Sequence, residues 1–180
     1  GFLQGHPDMN STPGVDMSTG SLGQGFSAAT GMALVARRRN LGYRVYSILG
    51  DGELQEGQVW EAAMFAAHYG LSNHTAFVDY NHLQIDGDVR EVMNPLPIDE
   101  KFAAFGWNVI SIPGNDMAAV DSALTLAKET KGKPTVIILN TTKGCGVSFM
   151  ENLAVWHHKV MDDAQYETAM AEIAERKASL

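Results

Sequence analysis

This sequence has little of what marks secreted, membrane-spanning or nucleic-acid-binding proteins. Cys145 is its only cysteine, so no internal disulfide can form and a reducing compartment is favoured. No apolar run approaches the roughly 20 residues that are needed to cross a bilayer. Acidic residues outnumber basic ones by 21 to 13, and the one basic run, Arg37 to Arg39, lies at a predicted helix end, where it complements the helix dipole. We therefore expect a cytoplasmic chain that binds neither membranes nor nucleic acids.

Both common nucleotide-binding motifs are absent as well. No G-x-x-x-x-G-K-[ST] P-loop occurs in the chain. Gly50, Gly52 and Gly57 are spaced too widely for the G-x-G-x-x-G dinucleotide fingerprint. The sequence also has no internal repeat and no low-complexity linker, which excludes solenoids and arrays.

What is present is the composition of one ordinary globular domain. The chain has 180 residues, of which 45% are apolar and 19% charged, enough to bury a sizeable core. We expect a single domain over residues 1–180. It opens Gly-Phe-Leu-Gln without an initiating Met, from which we expect that a further N-terminal segment of a longer protein precedes it.

Short β-branched runs alternate with stretches of helical periodicity, which predicts an α/β fold with a mainly parallel sheet covered by helices on both faces. Strands are predicted over 44–49, 75–79, 108–112 and 135–140. Helices are predicted over 21–39, 57–69, 98–105, 117–130 and 163–177, with polar loops over 81–97 and 141–158. In such sheets, ligands bind outside the carboxyl ends of the strands.

Two oxygen-bearing side chains follow neighbouring candidate strands. Asp51 follows the first strand between two glycines, and Asn81 follows the second strand, one βαβ length later. If these strands are adjacent, both side chains emerge at one sheet edge, where Mg²⁺ could bind two protein oxygens and substrate phosphates. The tripeptide Gly50-Asp51-Gly52 alone is more typical of a tight turn with a capping Asp. Its pairing with Asn81 favours the metal site.

Three segments together resemble the transketolase family. GDGELQEGQVWEA followed by VDYNHLQIDG is similar to that family's thiamine-diphosphate motif. GHPDMNSTPGVDMSTGSLGQG resembles its Gly-His-Pro segment and glycine-rich turn, and NTTKGCGVSFMEN…WHH resembles its histidine-bearing loop. The matches span almost all of residues 1–158 in family order. They imply the diphosphate-binding half of a transketolase, either an N-terminal domain or the N-terminal subunit of a split enzyme.

The resemblance implies a metal site and a cofactor site. Asp51, the side-chain oxygen of Asn81 and the main-chain carbonyl of Leu83 would bind Mg²⁺, and Gly52 would donate its N–H to the diphosphate of thiamine diphosphate. Further cofactor contacts are implied for Gly20, Leu22, Ile85 and His157. Ile85 could also be a simple packing residue of its loop.

The implied catalytic residues are His6, Glu56 and His157. His6 would face the hydroxyls of the donor sugar, and His157 would contact the diphosphate and the substrate entrance. Glu56, with Glu61, would lie at a subunit interface. His158 stands where the family has glycine, so either histidine of the pair could make the contact. His68, His74 and His82 have no motif support and are expected to be surface or structural residues.

The implied reaction is transfer of a two-carbon ketol unit between sugar phosphates of the pentose phosphate pathway. It would need the C-terminal transketolase subunit or domain, in a homodimer or heterotetramer. One alternative is another thiamine-diphosphate enzyme, such as a 1-deoxyxylulose-phosphate synthase. The other is a non-catalytic cofactor-binding or assembly half.

Overall fold

A four-stranded parallel sheet organises residues 3–178, which a computed structural model of the chain describes. The strands are β1 (Val45–Gly50), β2 (His74–Tyr80), β3 (Leu83–Gln84), β4 (Gly87–Asp88), β5 (Asn108–Pro113) and β6 (Thr135–Asn140). The helices are α1 (Gln24–Arg39), α2 (Gly57–His68), α3 (Val89–Val92), α4 (Ile98–Ala104), α5 (Met117–Glu129) and α6 (Asp163–Ala178). The sheet order is β1-β2-β6-β5, all parallel, and β3 with β4 forms a small antiparallel hairpin. The predicted α/β class with a parallel sheet is confirmed.

Side chains alternate between the two faces of the sheet, as the period of two in a strand requires. Ala76 and Val78 of β2 join the main core under α1, α2 and α4, together with Val136 and Ile138 of β6. Ile137, between the last two, points to the opposite face and packs with α5. Helices therefore cover both faces, and the β2 and β6 strands are buried on both sides, as parallel strands usually are.

The outer face of β1 is less well covered. β1 is an edge strand, and its Val45 and Leu49 belong to the core beneath α1 and α2. Tyr46 and Ile48 point to the α5 side of the sheet, where they are 44% and 77% exposed. The helix layer on that face therefore extends over β5, β6 and part of β2 but leaves β1 open.

Two local predictions were wrong. The first helix begins at Gln24 instead of Ser21, because Gly23 adopts a left-handed conformation (φ 78°) that cannot continue a helix. The segment 81–97, predicted as a loop, contains β3, β4 and the short helix α3. These elements are only two to four residues long, too short for their side-chain period to be visible in the sequence. Among the described residues, none of the helices combines the length and apolarity needed to cross a membrane.

Candidate functional site

The carboxyl ends of β1 and β2 bring the two predicted oxygen donors to one edge of the sheet. Gly50 pairs with Asp79 in the parallel register, so Asp51 and Asn81 follow the strands side by side. Both side chains are buried, at 2% and 7% exposure. The Asp51 carboxylate accepts the N–H of Gly52 at 2.8 Å and the N–H of His82 at 2.7 Å, which ties the end of β1 to the segment after β2.

A second carboxylate, Asp79, orients Asn81. Its Oδ2 accepts the Asn81 amide at 2.9 Å, and its Oδ1 accepts the Thr141 hydroxyl from the end of β6. The Asn81 amide oxygen is thereby turned away from Asp79 and accepts the N–H of Leu83 at 3.0 Å. Sequence reasoning treated Asp79 only as the end of a strand. Its position two residues before Asn81 was the sequence feature that could have indicated this role.

The electrostatics of this edge suit a cation. Burial raises the pKa of Asp51, and the nearby charge of Asp79 raises it further, although the two N–H donors act in the opposite direction. A divalent ion would compensate the desolvated carboxylate. Within residues 3–178 there is no group of three or more His, Cys, Asp or Glu side chains that could hold a metal alone. A metal here therefore depends on Asp51, amide and carbonyl oxygens, and phosphate oxygens of a ligand, the set that suits Mg²⁺.

The structure also positions the other residues expected at the metal and the diphosphate. Leu83 lies half-buried in β3 and pairs with Asp88. Gly52 begins a short 3-10 helix, and a Cβ at this position would lie 3.0 Å from the Cβ of Gln84. The Gly52 N–H, expected to reach a diphosphate, donates to Asp51 in this structure. Ile85 lies in the turn of the β3–β4 hairpin and is 57% exposed.

A cleft of about 420 Å³ lies beside this edge, lined by the Gly-His-Pro segment and the glycine-rich turn before α1. His6 and Gly20 form one wall of the cleft. Gly20 has a φ of 145°, and the His6 ring packs so closely against it that a Cβ added to Gly20 would lie 2.4 Å from the Cγ of His6. The remaining lining residues are Met17, Ser18, Thr19, Ser21, Gln24 and Gly25. Leu22, expected to line the cofactor site, is 54% exposed.

Glu53, which sequence reasoning missed, holds this cleft against the end of β1. Its carboxylate accepts the N–H of Gly23 at 2.8 Å and the N–H of Gly50 at 3.1 Å. One side chain therefore connects the glycine-rich turn before α1 with the residue before Asp51. The signal was the Asp-Gly-Glu spacing, which puts the carboxylate one turn beyond the strand. Glu56 directly precedes α2 and Glu61 lies within it, and both side chains are exposed.

The histidine-bearing loop approaches the same edge from the other side. His157 ends a second 3-10 helix, Ala154–His157, which packs beside β3. Burial lowers the pKa of His157, and the nearby positive charges of Lys143 and His158 lower it further. Lys143 is thus another cation near the site that sequence reasoning did not name. His158 has a φ of −139°, which does not require glycine, so histidine causes no backbone strain there.

Comparison with known proteins gives matches over almost the whole chain. Residues 2–174 match the family model described as transketolase, thiamine diphosphate binding domain. The chain is 49% identical over 178 residues to the 6-deoxy-6-sulfo-D-fructose transketolase subunit SqwG of Clostridium sp. (strain MSTE9), covering 98% of this chain and 64% of that protein. It is 42% identical to one of the subunits of the apulose-4-phosphate transketolase from Phocaeicola vulgatus, covering 97% of this chain and 62% of that protein.

A solved transketolase from Campylobacter jejuni superimposes with a TM-score of 0.88 at 32% identity, over 96% of this chain and 28% of that one. This chain thus spans less than two thirds of the length of these relatives. The family match, in contrast, extends over nearly all of it and includes every segment that forms the edge described above. The chain belongs to the thiamine diphosphate binding domain family of the transketolases.

Proposed function

We propose that this chain holds Mg²⁺ and the diphosphate of thiamine diphosphate at the carboxyl ends of β1 and β2, as one part of a transketolase. The observation that carries the proposal is the buried Asp51 carboxylate, which has the charge of Asp79 nearby and no cationic side chain hydrogen-bonded to it in the described chain. A buried carboxylate with a second carboxylate nearby is unfavourable unless a cation compensates its charge.

Each residue has a defined task in this proposal. Asp51, Asn81 and the Leu83 carbonyl would supply oxygens to Mg²⁺, while Asp79 keeps the Asn81 amide in one orientation. The N–H of Gly52 would bind the diphosphate. Lys143 would neutralise further negative charge, and the neutral ring of His157 could donate a hydrogen bond to a phosphate oxygen.

The cleft beside this edge would receive the sugar. His6 presents an imidazole that can hydrogen-bond hydroxyl groups, and the lack of a side chain on Gly20 leaves room for its ring. Exposed Leu22 and Ile85 offer apolar surface for the cofactor. Thiamine diphosphate, when bound, supplies the carbon nucleophile and electron sink for transfer of a two-carbon ketol unit.

The active assembly would include a second subunit or domain. The two relatives named above are themselves transketolase subunits, which supports a partner. Exposed Glu56 and Glu61 would lie at that interface, in a homodimer or heterotetramer. The names of these relatives concern a sulfosugar and apulose 4-phosphate, so we propose a ketose with a terminal anionic group and do not restrict it to the pentose phosphate pathway.

Calorimetric titration of thiamine diphosphate and Mg²⁺ into the chain, alone and with a transketolase C-terminal subunit, tests this function. We expect saturable binding that EDTA abolishes and that strengthens with the partner. Reconstituted pairs should then turn over a ketose phosphate or a sulfonated ketose. Absence of binding in a well-formed complex would contradict the proposal, and tight binding without turnover of any ketose would favour a non-catalytic half. Preference for pyruvate as donor would favour a 1-deoxyxylulose-phosphate synthase.

A further inference from the structure

The loop over residues 141–158, which carries His157, is shaped mainly by its own backbone. It joins β6 to α6 and contains no strand. Internal hydrogen bonds close it into successive turns, including Val147 N–H to Gly144 O at 3.1 Å and Met150 N–H to Val147 O at 2.9 Å. A further hydrogen bond, from Asn152 N–H to Lys143 O at 3.0 Å, closes residues 143–152 into one larger turn. Such a loop keeps its internal shape but needs an external contact to fix its place on the sheet.

Helix α6 supplies one such contact through a carboxylate, in addition to the Asn115 side-chain oxygen that accepts the Thr142 N–H at 3.0 Å. Glu172 accepts the N–H and the hydroxyl of Ser148, both at 2.6 Å. These two hydrogen bonds lower the pKa of Glu172 and so favour its ionised form. Arg176, one turn further along α6, donates to Cys145 Sγ at 3.4 Å, so the same helix contacts the loop at two points.

The Ser148 contact is connected to His157 by one aromatic pair. Phe149 follows Ser148, and its carbonyl accepts the Trp156 indole N–H at 2.9 Å. The two rings lie 5.3 Å apart. Trp156 directly precedes His157, whose short helix packs beside β3 and therefore near Leu83. Ser148 is thus connected to His157 by a packed and hydrogen-bonded path.

We propose that Glu172 is a positioning residue: its two hydrogen bonds to Ser148 fix the 141–158 loop so that His157 faces the carboxyl ends of β1 and β2. This inference rests on the proposed function for the role of His157 in cofactor binding. The contacts that place the loop do not involve the cofactor. The positioning can therefore be measured on the chain without any ligand.

The test compares four variants of the full chain. Glu172→Ala removes both acceptors, and Glu172→Gln retains two-point pairing, because its oxygen can accept the Ser148 N–H while its amide donates to the hydroxyl. Ser148→Ala removes one hydrogen bond without altering α6. Glu175→Ala is the control, since it removes an exposed carboxylate from the same helix without altering Glu172 or Ser148. Circular dichroism verifies that α6 stays folded in each variant.

The first readouts are amide hydrogen exchange over residues 143–157 and the NMR shift of the His157 ring, both without cofactor. Glu172→Ala should speed exchange about tenfold and shift the His157 signal, Ser148→Ala should give a smaller change in the same direction, and Glu172→Gln should stay near wild type. In Mg²⁺, Glu172→Ala should weaken thiamine diphosphate binding about three- to tenfold.

Unchanged exchange and an unchanged His157 signal in a folded Glu172→Ala variant would overturn the positioning role. Equal changes in Glu175→Ala or in Glu172→Gln would also overturn it, because they would point to charge instead of two-point hydrogen bonding. If the wild-type chain bound no thiamine diphosphate with its partner, the proposed function would fail. The exchange and NMR results would still decide whether Glu172 places the loop.

Discussion

Two buried polar clusters lie toward opposite ends of the same sheet, and they differ in charge. At the amino end, His74 is fully buried, and its ring nitrogens lie 3.5 Å from Thr30 Oγ1 and 3.1 Å from Ser47 Oγ. The rings of Phe26 and Trp107 pack around it at 5.3 and 5.6 Å. This cluster is neutral, because burial lowers the pKa of His74 to about 4.

The cluster at the carboxyl end contains two carboxylates, Asp51 and Asp79, and no cation hydrogen-bonded to either within the described residues. Burial of polar groups is therefore not by itself a sign of function in this fold. The neutral cluster is complete without a ligand, whereas the charged one gains stability from a cation. The comparison predicts that substitutions in the first cluster alter stability and those in the second alter binding.

The largest expected effect is on binding, from Asp51→Asn. The variant keeps the size of the side chain but removes its charge and places an NH₂ group against one of two N–H donors. Replacing even an indirect partner of a metal ligand typically lowers affinity 10- to 100-fold. Because Asp51 is expected to be a ligand itself, Mg²⁺-dependent affinity for thiamine diphosphate should fall more than about a hundredfold. Calorimetry measures this, with exposed Asp86→Asn in the same region as the control. Equal affinity in the two variants would remove Asp51 from the metal site.

His74→Ala, in the neutral cluster, is expected to lower stability and to leave cofactor binding unchanged. The substitution leaves a cavity between Phe26 and Trp107 and removes the partner of the Ser47 hydroxyl. The free energy of unfolding should fall by about 2–3 kcal/mol, while cofactor affinity stays unchanged at a temperature where the variant is folded. Denaturant titration measures the first quantity, with exposed His68→Ala as the control. A large loss of affinity without a loss of stability would contradict the contrast between the two clusters.

The same histidine predicts how stability depends on pH. Its pKa is about 4 in the folded chain and near 6.5 when unfolded, so below pH 6.5 the unfolded state binds the extra proton. Its contribution is fully present above pH 6.5 and declines as pH falls toward 4. Between pH 6.5 and about pH 5 the loss should be roughly 1–2 kcal/mol. The difference in pH dependence between wild type and His74→Gln isolates this contribution from the carboxylates, and parallel curves would contradict it.

The sequence predicted the framework of the charged cluster well. Asp51 and Asn81 each follow a strand by one or two residues, and a parallel sheet necessarily brings such positions to one edge. The predicted β6 over 135–140 matches the observed strand, because a strongly apolar run bounded by Pro134 and a polar loop permits little else. His74 was correctly expected to be structural or on the surface, and it is structural.

The side-chain network around those residues was not predictable in the same way. Glu53 bridges Gly23 and Gly50, and Glu172 holds Ser148, across separations of 30, 3 and 24 residues. Such contacts depend on how loops fold back onto the sheet, and no periodicity in the chain encodes them. Lys143 was missed for the same reason. Sequence patterns thus predict where the site lies, while three-dimensional packing decides which groups support it.

The smallest effect on cofactor affinity should come from Asp79→Asn. This substitution alters the charged cluster but leaves every expected metal ligand in the sequence. The variant keeps an oxygen that can accept the Asn81 amide, while its NH₂ group can donate to the Thr141 hydroxyl. Removing its charge lowers the pKa of Asp51, because Asp79 raises that pKa in the wild type. We expect thiamine diphosphate affinity in Mg²⁺ to fall about tenfold, at the lower end of the 10- to 100-fold loss that is typical for indirect partners of metal ligands. If Asp79→Asn reduced the affinity as much as Asp51→Asn does, Asp79 itself would bind the ion. The ligand set would then include both carboxylates.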